Sequence, residues 1–465
     1  MQSDLVGLLG PWSGGNGPLY KQLRDALLEL LETGSLQTGM TLPPERKLAA
    51  ALSVSRNTVA AAYAELRAMG WIDARQGAGT TITALGYSPV GGHRANGLFA
   101  TLIRDHPDVV DLTIAVPEAA PVVTDVLAEP GRFIAAEALT RGHGYEPRGD
   151  SELRSAMAET LTANGLDSTP DQMLITSGAQ QAISLVFRGL ARPGDLIGIE
   201  EVSFPGAIDT MAVAGARPVP IMMTDDGLDP DHLEQVITKH KPRLLYLVPT
   251  FHNPTGTLLT GERRARVAAL IAEHQVTTVD DLTLAELDFG TPAPPPLATL
   301  EPDAPIISIG SMSKVFWGGL RIGWLRAQPN IVNHLVGLKT AADLGTAAPI
   351  QRMACAMLDS YDETRAWRNE QLSESLTRTI EALRSQLPTW EWQLPLGGPH
   401  LWLKLPDTDA MAFSHRLLQA GVAVVPGPLL TVDGESATDR IRMPYYLPAA
   451  QLELAIERMA LTFDH

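Results

Sequence analysis

The sequence contains a single cysteine, Cys355, among 465 residues. One thiol excludes an internal disulfide and any zinc site built from several cysteines. No apolar run approaches the length of a membrane helix, and residues 1–4 lack the basic start of a signal peptide. The composition, 45% hydrophobic with a mean hydropathy of +0.02, is typical of a globular protein. We therefore expect a cytoplasmic protein without a membrane partner and, at this length, two domains.

The chain also lacks the excess of basic residues that is typical of a nucleic-acid-binding protein, since its formal net charge is −17. The charge is unevenly distributed. Residues 1–82 contain seven basic and seven acidic residues, whereas residues 83–465 contain 29 basic and 46 acidic residues. This division favours a small neutral module that meets phosphates on one face, attached to an acidic body that DNA would repel.

The first part of the chain shows the spacing of three helices. Leucines recur at helical intervals between residues 18 and 31. A second short helix is predicted from residues 40–44 through Leu52, with Pro44 in its first turn. Ser55 can cap a third helix from Arg56 to about residue 69. The buried stripe of this third helix would consist of Val59, Ala62, Tyr63 and Leu66.

Two short alternating segments, residues 71–75 and 80–83, flank a turn and predict a two-stranded wing. Three helices and a wing form a winged helix-turn-helix, which we assign to residues 1–83. Residues 84–108 contain several glycines, have little periodicity and are interpreted as a linker.

Residues 109–465 form the predicted second domain. Helical segments alternate there with short apolar, β-branched runs such as 196–200, 244–248, 277–279 and 306–309. This alternation predicts an α/β fold with a mostly parallel sheet.

In a helix-turn-helix, the third helix enters the major groove with its first residues facing the bases. Arg56 lies in that first turn, and Arg46 lies at the start of the preceding helix, within reach of a phosphate. Arg75 and Gly77 lie in the wing, where an arginine suits a minor groove. The alternative is a protein-interaction module with ordinary surface arginines, but the combination favours DNA. The candidate DNA-contacting residues are Arg46, Ser55, Arg56, Asn57, Thr58, Arg75 and Gly77.

Three segments of this module, LPPERKLA at 42–49, VSRNTV at 54–59 and GWI at 70–72, closely resemble the GntR family of winged-helix regulators. The resemblance spans about residues 18–83. It implies that the protein binds double-stranded operator DNA, with contacts from Arg46, Arg56, Thr58 and Gly77.

Lys314 follows the hydroxyl residues Ser311 and Ser313 and precedes Arg321 by seven positions. A lysine amine can form a Schiff base with an aldehyde, while hydroxyls and a guanidinium hold a phosphate. The run therefore suits pyridoxal 5′-phosphate. Taken alone, a lysine is more often a solvated surface charge.

Four other segments suit the same cofactor. Asp280, at the end of a strand-like run, can bind a pyridine nitrogen, although a solvated strand end is the alternative. Asn253 can donate to a phenolate oxygen, although its Asn-Pro-Thr-Gly segment is also a common turn. Residues 176–181 join a strand to a helix and form either an anion site or a simple helix cap. Phe204 can stack on the ring or belong to the core.

In their order along the chain, these segments resemble the fold type I aminotransferases from about residue 111 to residue 465. The resemblance implies an internal aldimine at Lys314, a pyridine contact from Asp280, a phenolate contact from Asn253 and ring stacking by Phe204. Arg442 matches the arginine that binds a substrate α-carboxylate, for which a surface salt bridge is the alternative. The resemblance assigns the phosphate to Ala179, Gln180, Ser311, Ser313 and Arg321.

The sequence departs from the aminotransferase pattern at two positions. Leu282 occupies the position at which related proteins usually have a tyrosine that bonds the phenolate oxygen. Without this tyrosine, Asn253 is the main partner of the phenolate oxygen. Tyr145 lies one place later than the usual phosphate-binding tyrosine, which reaches across the dimer, and is a weaker candidate for that role.

A GntR module joined to an aminotransferase-like domain is similar to the MocR subfamily of regulators. The resemblance implies a head-to-tail homodimer whose DNA binding responds to pyridoxal phosphate, or to an amine or amino acid that reacts with it. Two alternatives are an aminotransferase with a secondary DNA-binding domain and a regulator that has lost the cofactor. Lys314, Asp280 and Arg321 argue against the second alternative. Leu282 and the winged helix argue against the first, and whether the protein has residual transaminase activity is left open.

Overall fold

A computed structural model describes residues 2–10, 12–13, 18–32, 36, 40–68, 71–75, 79–82, 109–132, 143–290 and 292–463. The predicted linker, residues 84–108, and the wing residue Gly77 lie outside these ranges, as does the side chain of Arg75. Within the described ranges, no helix is both long and apolar enough to cross a membrane.

The N-terminal region has the predicted three helices and wing, preceded by one further helix. Its elements are α1 (Gln2–Leu9), α2 (Leu19–Glu32), β1 (Thr41–Leu42), α3 (Glu45–Leu52), α4 (Arg56–Ala68), β2 (Ile72–Arg75) and β3 (Gly79–Ile82). The start predicted for the second helix was wrong, because β1 pairs antiparallel with β3 and extends the wing to three strands. Pro44 precedes α3 rather than entering it, and its carbonyl accepts the Leu48 N–H at 3.0 Å.

Helix α4 buries the predicted stripe, since Val59, Ala62, Tyr63 and Leu66 are all 0% exposed. The Ser55 hydroxyl accepts the Thr58 N–H at 3.1 Å and so caps the helix as predicted. This leaves the first turn of α4 at the surface, where Arg56 and Asn57 are exposed.

The first strands of the second domain are β4 (Val110–Asp111), β5 (Met173–Thr176), β6 (Leu196–Glu200), β7 (Arg217–Ile221), β8 (Met223–Thr224), β9 (Gly227–Leu228), β10 (Leu244–Leu247), β11 (Thr278–Asp281), β12 (Ile306–Ser311) and β13 (Gly323–Arg326). Seven of them form one sheet in the order β5-β13-β12-β11-β10-β6-β7. Strand β13 is antiparallel to both of its neighbours, and the other adjacent pairs are parallel, as predicted for a mostly parallel sheet.

Helices cover both faces of this sheet. Its side chains alternate between two buried clusters, so that Leu245 and Leu247 of β10 face one side and Leu244 and Tyr246 face the other. The helices of this part are α5 (Pro121–Ala128), α6 (Ser151–Ala163), α7 (Ala179–Leu190), α8 (Pro205–Val213), α9 (Pro230–Gln235), α10 (Gly261–His274), α11 (Leu297–Leu300), α12 (Pro329–Asp343) and α13 (Ala348–Leu358).

The C-terminal part forms a smaller layer, whose elements are α14 (Tyr361–Gln386), β14 (His400–Lys404), α15 (Ala410–Gln419), β15 (Val422–Ala423), β16 (Val425–Pro426), β17 (Arg440–Pro444) and α16 (Ala449–Phe463). Three of its strands form a sheet in the order β14-β17-β16. Strand β15 pairs with β4, which ties the smaller layer to the start of the domain. The small sheet packs its apolar face on α14, α15 and α16.

The winged helix contacts this smaller layer. Helix α2 packs against α15, and the Trp71 ring meets the His415 ring edge-on at 4.3 Å between centroids. His415 is 7% exposed, and neither of its ring nitrogens has a hydrogen-bond partner among the described residues. Burial lowers the pKa of His415 to about 3, so this contact is made by a neutral imidazole.

Candidate functional site

Asp280 lies near the carboxyl end of β11, the central strand of the large sheet, and is 0% exposed. Its Oδ2 accepts the Leu297 N–H at 2.9 Å, whereas its Oδ1 has no partner among the described residues. Burial raises the pKa of Asp280 to about 6, and the nearby Arg264 guanidinium opposes the rise. The solvated strand end considered from the sequence is therefore wrong. A buried carboxylate oxygen without a partner fits the protonated ring nitrogen of a cofactor.

Lys314 lies just after β12, the strand next to β11. Its Nζ donates to the Ala115 carbonyl at 2.5 Å, and the side chain is half-buried rather than a solvated surface charge. Burial lowers the pKa of Lys314 to about 8, with the Arg442 charge acting in the same direction and Asp281 opposing both. At such a pKa a substantial share of the amine is neutral near physiological pH, and a neutral amine is the nucleophile that attacks an aldehyde.

Strand β13 brings the predicted phosphate-binding segments together. Gly323 pairs with Ser311 of β12 on one side and with Thr176 of β5 on the other. Arg321 donates from Nη2 to the Ser177 carbonyl, which places the guanidinium at the start of α7. The Ser311 and Ser313 hydroxyls are 2.7 Å apart. The result is a group of hydroxyls, a guanidinium and helix N–H groups that suits an anion.

Glycines make this approach of the chain segments sterically feasible. Gly178, at the N-cap of α7, has φ +98°, and a Cβ atom there would lie 2.9 Å from Nη2 of Arg321. A Cβ atom at Gly323 would lie 2.5 Å from the Gly178 carbonyl carbon. Side chains at either position would therefore push apart the segments that carry Ala179 and Arg321.

Gln180 and Phe204 come together beside the start of α7. The Gln180 Nε2 donates to the Gly206 carbonyl and to the Thr210 hydroxyl, both at 2.9 Å, while Gln180 Oε1 has no partner among the described residues. Phe204 precedes α8, is half-buried and packs against the core cluster on that face. Stacking of Phe204 on a ligand ring stays a prediction.

Arg442, in β17, is 4% exposed, so the surface salt bridge considered for it is wrong. One Nη donates to the Thr113 carbonyl and the other to Asn253 Oδ1 at 3.2 Å. Its Nε has no partner among the described residues, and burial lowers its pKa to about 10. Arg442 and Asn253 are thus brought together, and the Nε–H is one of the donors that the guanidinium retains for a ligand.

Leu282, at the position of the missing tyrosine, directly follows β11, and Asp281 is the last residue of that strand. The Leu282 side chain is 7% exposed and packs in the core cluster. Asp281, which the sequence analysis did not single out, accepts the Tyr246 hydroxyl at 2.6 Å, and the charges of Asp281 and Lys314 act on one another. A pair of acidic residues at a strand end was the available signal, but consecutive strand residues face opposite sides, so their joint role was not apparent.

Tyr145 does not join these residues within one chain. Its side chain is 58% exposed, and its N–H donates to Nδ1 of His143 at 3.0 Å. The proposed role across a dimer stays a prediction.

Four of the predicted DNA-contacting residues lie at the start of α4: Ser55, Arg56, Asn57 and Thr58. Arg56 donates to Glu45 Oε2 at 3.0 Å and 3.1 Å, and the Ser55 and Thr58 hydroxyls are 2.8 Å apart. Arg46, one position after Glu45, is exposed. Arg75 ends β2, opposite Gly79, so its backbone lies in the wing as predicted.

Comparison with known protein families gives two matches that divide the chain. Residues 107–459 match the model of aminotransferase class I and II, and residues 19–82 match that of bacterial regulatory proteins, gntR family. The two matches follow the order of the two domains predicted from the sequence.

Similar proteins include regulators of transcription and an aminotransferase. The uncharacterized HTH-type transcriptional regulator YisV of Bacillus subtilis (strain 168) is 29% identical over 96% of each chain. The probable rhizopine catabolism regulatory protein MocR of Rhizobium meliloti is 28% identical over 80% of this chain and 78% of its own length. The solved structure of the α-aminoadipate aminotransferase LysN of Thermus thermophilus, in complex with N-(5′-phosphopyridoxyl)-L-leucine, superimposes with a TM-score of 0.71. It is 28% identical and covers 79% of this chain and 97% of its own.

The raised pKa of Asp280 makes a prediction about pH. In the folded protein this pKa is about 6, above the ordinary value of 3.8, so between these values the native state binds a proton that the unfolded state releases. The unfolding free energy of cofactor-free protein should therefore fall as the pH rises through about 6. Asp280→Asn keeps an acceptor for the Leu297 N–H but does not titrate, so its unfolding free energy should not show this fall. Between about pH 4 and about pH 7, the unfolding free energy of the variant should therefore rise by roughly 2 kcal/mol relative to that of wild type.

Melting temperatures across this range measure the difference, with the exposed Asp225→Asn as control. Parallel pH profiles of wild type and Asp280→Asn would show that Asp280 is not the buried carboxyl described above.

Proposed function

The chain belongs to the class I and II aminotransferase family and carries a gntR-family helix-turn-helix domain, as MocR-type regulators do, and we propose that it regulates transcription by sensing pyridoxal 5′-phosphate or an amine. The proposal rests above all on one observation: Oδ1 of the buried Asp280, on the strand next to the one that Lys314 follows, has no partner among the described residues. A buried charge with a free acceptor destabilises the fold unless a ligand satisfies it.

The residues of the site divide the binding of pyridoxal phosphate among them. Lys314 would hold the aldehyde carbon, and Asp280 would accept the ring N–H. Asn253 would bond the phenolate oxygen, and Phe204 would cover one ring face. The phosphate would be held by Ala179, Gln180, Ser311, Ser313 and Arg321. When bound, this cofactor supplies an aldehyde that exchanges amines and a ring that withdraws electrons.

Arg442 would bind the carboxylate of an amino acid effector. Its guanidinium is already oriented by the Thr113 carbonyl and Asn253, so little side-chain entropy is lost on binding. An effector amine that took the place of the Lys314 amine at the aldehyde would leave the lysine side chain free and make new contacts in the site. A ligand of this kind shifts a conformational equilibrium when it binds one state better than the other.

A short chain of contacts supports communication with the DNA-binding domain. Arg442 pairs with Val425 of β16, and Val425 packs with Met411 of α15. Met411 and His415 are four residues apart on this helix and so lie on one face, and His415 contacts Trp71 beside the wing. A shift of β17 on effector binding would therefore reach the wing through packed side chains.

The proposed assembly is a head-to-tail homodimer on double-stranded operator DNA. The exposed Tyr145 is then available to the partner's site, and two winged helices would meet two half-sites.

An aminotransferase with a secondary DNA-binding domain is the second candidate. The presence of Lys314, Asp280 and Arg442 in one site favours it, whereas Leu282 disfavours it, because the phenolate oxygen loses a hydrogen-bond donor. Sustained turnover of an amino donor and a keto acid would favour this candidate over a sensor.

The cofactor assignment predicts a visible absorption band in the protein supplied with pyridoxal phosphate. Lys314→Ala should abolish this band because it removes the amine that reacts with the aldehyde. The control Lys239→Ala, which removes an exposed lysine, should retain it. A wild-type protein that stays colourless after reconstitution would contradict the sensor.

The DNA assignment predicts that Arg56→Ala weakens binding to a duplex selected from a random pool by about tenfold or more, because a base or phosphate contact is lost. Cofactor absorption should be unchanged. Arg188→Ala, which removes an exposed arginine of α7, is the matched control. Equal DNA affinity of wild type and Arg56→Ala in a salt titration would count against the proposed docking.

The interdomain contact predicts a role for His415 in coupling. In wild type, the operator affinities of the cofactor-loaded and the cofactor-free protein should differ by about 5- to 150-fold, the range of typical couplings. In His415→Ala, the ratio of these two affinities should move several-fold towards one. Cofactor absorption should be retained, and the exposed His274→Ala serves as control. An unchanged ratio would exclude this contact from the coupling.

A further inference from the structure

His400 is the first residue of β14 and is 1% exposed. Strand β14 runs antiparallel to β17, with His400 opposite Pro444 and Trp402 opposite Arg442. Side chains two apart on a strand share a face, as do directly opposed residues of paired strands. His400 therefore lies on the same face of the small sheet as Arg442, whereas Leu401 and Leu403 face the apolar core.

Both ring nitrogens of His400 are buried. Neither ring nitrogen makes a hydrogen bond of normal geometry with another described residue. Burial of a polar group without a partner is unfavourable, so such atoms usually face a ligand, an ion or a water. Asp280 provides a parallel in this chain: it is equally inaccessible, and its unpartnered oxygen is the atom that suits the cofactor.

The electrostatic surroundings of His400 belong to the cofactor site. Burial lowers its pKa well below the ordinary value, and the charges of Arg442 and Lys314, with His252, lower it further. His400 is therefore neutral, with one N–H donor and one acceptor nitrogen. Two of the residues whose charges act on it are Arg442 and Lys314. In the proposed function, Arg442 would bind the effector carboxylate and Lys314 would hold the aldehyde.

We propose, on the basis of the proposed function, that His400 contacts the side chain of an amino acid effector and selects a neutral amide or hydroxyl group. Such a group both donates and accepts, so it satisfies the imidazole whichever ring nitrogen carries the proton. An aliphatic side chain of the same shape would leave the buried nitrogens unpaired. A site built for a polar group rejects an apolar analogue for this reason.

Pairs of amino acids with the same shape test the proposal. L-asparagine and L-leucine form one pair, and L-threonine and L-valine form the other. Each would be titrated into the full-length, cofactor-loaded protein while the visible absorption is followed. In at least one pair, wild type should bind the polar member about tenfold more tightly, the selectivity of one buried hydrogen bond.

Two substitutions of His400 make the test specific. His400→Phe keeps the ring and removes both nitrogens, so the preference for the polar member should fall about tenfold or reverse. His400→Gln supplies a donor and an acceptor, so it should keep part of the preference. His274→Phe, on the exposed end of α10, should behave as wild type.

The outcomes separate this inference from the proposed function. If all four amino acids change the absorption of wild type but neither pair is discriminated, or if His400→Phe discriminates as wild type does, the inference is overturned and the sensor stands. If none changes the absorption, the amino acid part of the proposed function fails, and the inference fails with it. Should His400→Phe lose cofactor absorption through misfolding, the wild-type ratios and His400→Gln still decide the matter.

Discussion

The architecture depends on keeping a carboxylate buried at the centre of a sheet. Asp280 is 0% exposed, has a partner among the described residues on one oxygen only, and has a raised pKa because it is buried. The buried guanidinium of Arg264 limits the rise, and its own donors bond carbonyls and the Thr250 hydroxyl. Without a ligand this arrangement destabilises the fold. The site would thus suit a cationic ring nitrogen, and Lys314 follows the neighbouring strand β12.

In the proposed sensor, Arg442 would link the ligand site to the smaller layer. It belongs to the small C-terminal sheet, whereas Lys314 and Asp280 belong to the large one. A ligand that binds both Arg442 and the aldehyde therefore spans two packed layers. The smaller layer also carries α15, against which the winged helix packs. A change in the distance between the layers would be transmitted to the DNA-binding domain without any direct contact between ligand and DNA domain.

Local patterns in the sequence predicted much of the fold. The stripe of α4 and the cap at Ser55 follow from spacing within a few residues, and both are present. The strand β1 was missed because two residues show no periodicity, and only pairing with β3 makes them a strand.

The candidate cofactor-site residues were named partly from the chemistry of their side chains and partly from a resemblance, and the structure brings some of them together, such as Arg442 with Asn253 and Arg321 with the start of α7. His400 and Asp281 were missed because their importance arises from distant partners. His400 lies on the same face of the small sheet as Arg442 because β14 pairs with β17, and Asp281 accepts the Tyr246 hydroxyl from the neighbouring strand. Neither partner can be read from local sequence. The reach of Tyr145 likewise depends on a second chain rather than on its neighbours.

The central claim is that occupation of the Lys314 site alters DNA binding. Its most direct measurement is the affinity for a selected duplex with and without pyridoxal phosphate, in wild type and in Lys314→Ala. We expect the cofactor to change the affinity of wild type by about fivefold or more and to leave Lys314→Ala unaffected. Equal affinities of wild type in the two conditions, or the same response in both proteins, would contradict the account.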